Sequence, residues 1–148
     1  MTKISKVITK FIATSCYTGY FPFAPGTIGS AIGLVICWLT GYSIILYLAT
    51  GIVLLLAGYI SSEFYAKDVK QKDPHEITID EASSVFIAFL FIPFSIKTVI
   101  AGFILYRIFD IIKPPPIKKL EMLPGGLGIM ADDMMAAIYT NIVLRILF

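Results

Sequence analysis

The sequence predicts an all-α integral membrane protein: a bundle of about six helices, made of an N-terminal amphipathic helix, two helical hairpins and a C-terminal helix. Three observations lead there. The 148 residues are 57% hydrophobic and only 15% charged, with mean hydropathy +0.85, whereas soluble domains run near 45–50% apolar and about 25% charged. Long apolar runs alternate with short polar or proline-rich stretches at helical lengths. The lysines, finally, fall almost wholly on one side of the resulting topology. The length suits a single membrane-embedded domain, residues 1–148.

In chain order, "MTKISKVITKFIAT" sets Ile4, Val7, Ile8, Phe11 and Ile12 on one helical face and Lys3, Lys6 and Lys10 on the other. That pattern suits a helix lying on an anionic membrane surface. The same lysines leave no apolar stretch of signal-peptide type before Cys16. "CYTGYFPFAPGTIGS" reads as an ordered loop, with Thr27 positioned to cap the next helix.

Ile28 to Ser62 contains no charged residue. As one helix it would reach roughly 50 Å, too long for a hydrocarbon core of about 30 Å, so a turn is expected at residues 39–43, leaving two rather short arms. The polar segment "EFYAKDVKQKDPHEITIDE" must lie outside the hydrocarbon. From Ala82 to Ile112 a second apolar run is interrupted by Pro93 and Lys97, which makes another hairpin. "KPPPIKKLEMLPGG" cannot be helical in its proline run and reads as a loop. The last helix begins near Leu127.

Two hairpins place Lys3, Lys6, Lys10, Lys67, Lys70, Lys72, Lys113, Lys118 and Lys119 on one face and only Lys97 and Arg145 on the other. By the positive-inside rule the lysine-rich face is cytoplasmic. The expected arrangement is therefore a multi-pass membrane chain whose functional face looks into the cytoplasm.

Several classes drop out. Net charge +2 without a dense basic patch argues against nucleic acid. Cys16 and Cys37 have no metal-ligand spacing or Cys-x5-Arg loop and read as packing residues. His75 sits in a polar loop as a surface residue, so no Ser-His-Asp arrangement is available.

The topology gathers the unusual polar residues at one depth. Asp80 and Glu81 start the third membrane helix, Arg107 and Asp110 end the fourth, Lys113 follows by a turn, and Asp132 and Asp133 open the last. Either acidic pair alone is what a helix N-terminus attracts, and Arg107 with Asp110 alone is an ordinary i,i+3 ion pair. Their coincidence at one face marks a function, because ionisable groups at membrane depth are costly.

Five carboxylates against two cations leave about three uncompensated negative charges, and acids so crowded resist ionising together unless a cation neutralises them. All-oxygen ligands suit a hard divalent ion such as Mg²⁺, which commonly joins carboxylates to a substrate phosphate. Asp80, Glu81, Asp110, Asp132 and Asp133 are thus the expected metal ligands and catalytic acids. Arg107 and Lys113 are expected to hold phosphate oxygens, joined by Thr27 and by the helix N-terminus at Gly125 and Gly126. Neighbouring residues on a helix point about 100° apart, so one acid of each adjacent pair should face the ion and the other stand behind it.

The motifs "APGTIGS", "DPHEITIDE", "RIFDIIKPPPI" and "GGLGIMADD", in that order, resemble the phosphatidylglycerophosphatase A family from about Gly19 to Ala137. The resemblance implies an all-helical, Mg²⁺-dependent membrane enzyme of bacterial phospholipid synthesis. Such an enzyme removes the terminal phosphate of phosphatidylglycerophosphate to leave phosphatidylglycerol. It carries the family's motif residues onto Asp80, Glu81, Arg107, Asp110, Lys113, Asp132 and Asp133. The chain departs from the family pattern at Ser84 and Ala137, where glycine is usual; both are small-for-small changes. The alternatives are a phosphatase for another lipid phosphate, such as phosphatidic acid, and a non-enzymatic cation transporter. A transporter's polar groups belong near the midplane, whereas these lie at one face. The D-G-x-x-A-R start of a CDP-alcohol synthase is absent. The expected partners are the phospholipid substrate and the surrounding lipid, and the short helices are compatible with a homo-oligomer.

Overall fold

The computed structural model describes residues 2–148. Among them are seven α-helices and no strand. Helix α1 is Lys3–Ala13, followed by a 3₁₀ turn at Thr18–Tyr20; α2 is Pro25–Thr40, α3 Ile44–Val69, α4 Ile79–Ala88, α5 Ile96–Ile112, α6 Ile117–Leu120 and α7 Gly125–Leu147. The hairpin turns at residues 41–43 and 89–95 fall where the sequence places them. Local chemistry starts the helices. The Thr2 hydroxyl accepts the Ser5 N–H of α1, and the Ser43 hydroxyl accepts the Leu46 N–H of α3. Ser95 and Thr98 cap α5 reciprocally.

Helix α4 is the centre of the bundle and packs chiefly against α2 and α7. It is short and small-residue-rich, with Ala82 to Phe86 and Ala88 all buried, as expected of a helix covered on every side. Gly33 of α2 lies against the Ala82 backbone with no room for a methyl, an approach that small residues permit between helices. The outer faces of α2, α3 and α5 remain apolar and exposed, with Trp38 66%, Ile45 78% and Ile96 81% accessible. Helices α3 and α7 are long and apolar enough to cross a membrane, and α2 is a shorter apolar helix.

The bundle has two ends. One gathers the α2–α3 turn, the α4–α5 connection and the C-terminus, where Arg145 donates to the carbonyl of Leu90. The other gathers the α1–α2 connection, the α3–α4 loop and the proline-rich segment after α5.

Four expectations change. The hairpin arms are unequal: α2 has 16 residues but α3 has 26, because the helix continues through "EFYAKDV". Charge does not break it there, since Glu63 and Lys67 pair at 2.6 Å across one turn, and Lys70 ends it in a left-handed conformation. Thr27 is not a cap: Ala24 holds the cap position, and Pro25 supplies the first helical residue, where its missing N–H costs nothing. The segment after the prolines forms the single turn α6, and α7 starts at Gly125. Of the two cysteines, Cys37 is buried as expected, but Cys16 is exposed.

Candidate active site

The site lies at the lysine-rich end, where the first turn of α4, the last turns of α5 and the second turn of α7 meet beside the start of α2. The α4 start contributes Asp80 and Glu81, and α7 contributes Asp132 and Asp133, both buried. On α5, Tyr106, Asp110 and Lys113 recur at helical spacing, so one face turns all three toward the acids.

Asp80, Glu81 and Asp133 each offer a carboxylate oxygen, and these oxygens all lie within 4.8 Å of one another. Asp80 Oδ1 and Glu81 Oε2 are buried without a hydrogen-bond partner, as is Asp132 Oδ1. Buried carboxylate oxygens left without donors are costly, and a hard divalent cation is the partner that would satisfy them. The Tyr106 hydroxyl, fully buried, donates to Asp133 Oδ1 at 3.0 Å and thereby fixes that carboxylate's orientation.

The cations sit on either side. Arg107 Nη1 reaches Asp110 Oδ2 at 2.8 Å and Glu81 Oε1 at 3.7 Å, and donates to Ser30 Oγ at 3.3 Å. Ser30 in turn donates to the Gly26 carbonyl at 2.8 Å. A methyl on Gly26 would strike the Glu81 carboxylate and come within 3.3 Å of Arg107, so the start of α2 is pressed onto this wall. Arg107 Nε is buried and its N–H has no partner.

Lys113, in a left-handed conformation at the end of α5, places its Nζ 2.7 Å from Asp132 Oδ2 and 3.2 Å from Glu121 Oε1. Burial pulls its pKa down, but the hydrogen bond and charge of Asp132, reinforced by Glu121, outweigh this. The net shift is above the ordinary lysine value, and the group is a fixed cation at neutral pH.

The structure therefore separates the sequence-selected residues into three sets. Asp80, Glu81 and Asp133 form the compact group. Asp110 joins it through Arg107, and Asp132 turns aside to Lys113. The adjacent acids Asp132 and Asp133 divide as helical geometry requires, whereas Asp80 and Glu81 both reach the group. Thr27, Gly125 and Gly126 stand apart. Thr27 lines an apolar groove on α2. Gly125 and Gly126 pack against Glu63, and the Gly126 N–H already donates to Glu63 Oε2 at 2.6 Å, so the protein's own carboxylate occupies the start of α7.

Tyr106, Ser30 and Glu121 escaped the sequence reading. The 106–110–113 spacing was a usable signal for Tyr106. Glu121 had none, because it meets Lys113 only after the proline-rich segment folds back through α6.

The family described as Phosphatidylglycerophosphatase A matches residues 11–148. A Haemophilus influenzae protein named phosphatidylglycerophosphatase A is 39% identical over 138 residues, covering 89% of this chain and 83% of its own. The Escherichia coli K12 protein of the same name is 30% identical over 135 residues, covering 86% and 76%. A Bacteroides thetaiotaomicron protein, provisionally named a phosphatidylinositol-3-phosphatase, is 33% identical over 144 residues, covering 91% and 90%. No solved structure matches the chain.

Proposed function

The chain belongs to the phosphatidylglycerophosphatase A family, and from that membership we propose that it hydrolyses phosphatidylglycerophosphate to phosphatidylglycerol and inorganic phosphate. The reaction is Mg²⁺-dependent, takes place in a bacterial cytoplasmic membrane that the chain crosses several times, and serves phospholipid synthesis. The observation that carries this reading is the group of Asp80, Glu81 and Asp133, with oxygens lacking partners, set between Arg107 and Lys113. The exposed apolar belt supports a lipid surround. The nine lysines at the site end, against Lys97 and Arg145 at the other, support a site facing the cytoplasm.

A Mg²⁺ ion held by Asp80, Glu81 and Asp133 would supply Lewis-acid polarisation of the phosphoryl group. The chain's own residues do the rest. Arg107, braced by Asp110 and Ser30, directs its free Nε–H to a phosphoryl oxygen, and Lys113 provides a second fixed positive charge where phosphoryl transfer concentrates negative charge. Asp132, anchored through Oδ2, takes a proton from the attacking water at Oδ1. As the water oxygen bonds to phosphorus, the bond from phosphorus to the glycerol oxygen breaks. Its electron pair stays on that oxygen, which is protonated from solvent.

The test is phosphate release from phosphatidylglycerophosphate by purified protein in detergent, with Mg²⁺ and with EDTA, alongside Asp133→Asn with its helicity checked by circular dichroism. Release that requires Mg²⁺ and disappears in the folded variant is expected. The Bacteroides relative's name motivates a second arm with phosphatidylinositol 3-phosphate and phosphatidic acid; hydrolysis of one of these alone would keep the chemistry and replace the substrate. No release from any phosphomonoester by folded protein would overturn the proposal.

A further inference from the structure

We infer that the acyl portion of the substrate is held along the outer face of α2, in two apolar hollows that share Ile32 and Ile36; this rests on the lipid phosphatase reading above. The first is a shallow, open depression of about 410 Å³ on the helix surface, lined only by α2 residues, among them Thr27, Ala31 and Val35. The second, about 270 Å³, lies between α2 and the α1 corner and is walled by Phe11, Leu54 and Ala82. The two flank a ridge formed by Ile32 and Ile36.

Their position ties them to the chemistry. Gly26 and Ser30 are the α2 residues that touch Glu81 and Arg107, and Thr27 and Ala31 are the next residues around the same helix. A lipid whose phosphate lies against Arg107 therefore meets the groove without leaving α2. The second hollow is backed by Ile79 and Ala82, which bracket Asp80 and Glu81 on α4. Its site end also holds Ser15, which is 8% exposed and has a buried hydroxyl oxygen without a partner. An ester carbonyl of a phospholipid would accept that hydroxyl's hydrogen bond.

The dimensions agree. Thr27 to Ile36 is nine helical steps, about 14 Å at 1.5 Å per residue. One leaflet is half of a hydrocarbon core of about 30 Å. The track therefore runs from the interface to about the midplane, the course of a single acyl chain. The α2 lining offers dispersion contacts and no polar group beyond Thr27, so it selects by chain length and not by head group.

The experiment compares substrates with one head group and different tails: a chainless glycerol phosphomonoester, a dihexanoyl lipid and a dipalmitoyl lipid. All three are presented in the same detergent, the lipids at equal mole fraction in mixed micelles, so that bulk partitioning is held constant. Ala31→Trp fills the groove at an exposed position, and Ile104→Trp, on exposed α5, controls for an added indole at the lipid surface. For wild type and the control, KM is expected to fall about tenfold or more from dihexanoyl to dipalmitoyl substrate as the longer chain gains packing contacts along α2. In Ala31→Trp that advantage is lost, while kcat and KM for the chainless substrate stay at wild-type values. Equal KM for both tails in the wild type, or an unchanged chain-length advantage in Ala31→Trp, would overturn the inference. Absence of phosphate release from every substrate would instead overturn the functional reading, so the two failures are distinguishable.

Discussion

Tyr106→Phe removes one oxygen atom and leaves the packing of the ring intact, so it isolates a single hydrogen bond. Tyr106 is fully buried and its hydroxyl is 3.0 Å from Asp133 Oδ1, itself buried. A hydrogen bond to a charged group contributes about 1.5–3 kcal/mol, and each 1.4 kcal/mol is a factor of about ten. If the hydroxyl acts by aiming Asp133 at a cation, the loss must appear in the cation dependence. Substitutions behind a metal ligand typically cost about 10–100-fold in metal affinity or activity. The expected result is a rise of that size in the Mg²⁺ concentration giving half-maximal phosphate release, measured by titrating Mg²⁺ into the purified variant at fixed substrate. Thermal unfolding of the same preparation guards against a general loosening. A folded Tyr106→Phe protein with wild-type Mg²⁺ dependence and wild-type kcat would refute the orienting role, and with it the assignment of Asp133 as a ligand held in place from behind.

Three further perturbations follow from the same geometry. Arg107→Lys keeps the charge but loses the planar guanidinium, whose Nη1 holds Asp110 and Ser30 while its Nε–H stays unpaired, so kcat should fall about 10–100-fold in steady-state assays of folded protein; unchanged kcat would remove Arg107 from the phosphate contact. Gly126→Ala sets a methyl 2.7 Å from the Tyr59 carbonyl and 2.9 Å from the Glu63 amide nitrogen. Neither backbone group can turn aside, so α3 and α7 must separate at a cost of about 1–3 kcal/mol, read as a lowered Tm; an unchanged Tm would show that the helices part freely. Lys113→Met tests the pH dependence. The folded-state pKa of Lys113 is raised above the ordinary lysine value, so its ion pair stabilises the protein fully below about pH 10 and the contribution fades as pH rises toward the shifted value. The stability gap between wild type and variant, from denaturant titrations, should be constant from pH 7 to 10 and shrink above that. A gap that shrinks already between pH 7 and 9 would contradict the raised pKa.

The elements legible in the sequence were those specified by local chemistry. The amphipathic first helix, the turn at residues 41–43 and the break near Pro93 depend on periodicity and on residues that interrupt a helix, and these act over a few positions. The extent of α3 was not legible, because a run of charged residues lowers the hydropathy but does not end a helix; α3 simply continues through it to Val69. That the candidate acids gather at one end was legible for a different reason. Five carboxylates and two cations at the ends of apolar runs stand out wherever they fold, and hairpin topology alone brought them to one end.

Composition and local pattern thus determined the all-helical class, the two-ended bundle and which charges gather at one end, because burial of apolar runs and the expense of buried charge are properties of the residues themselves. Only tertiary structure decided which acids face one another. Side-chain direction depends on how α4, α5 and α7 rotate and pack, so Asp133 joined Asp80 and Glu81 while Asp132 turned to Lys113. The same packing set Tyr106 behind Asp133, brought Glu121 back to Lys113 and closed the start of α7 with Glu63. Each of these contacts joins residues from separate segments, and their approach is set by interlocking surfaces that no short stretch of sequence encodes.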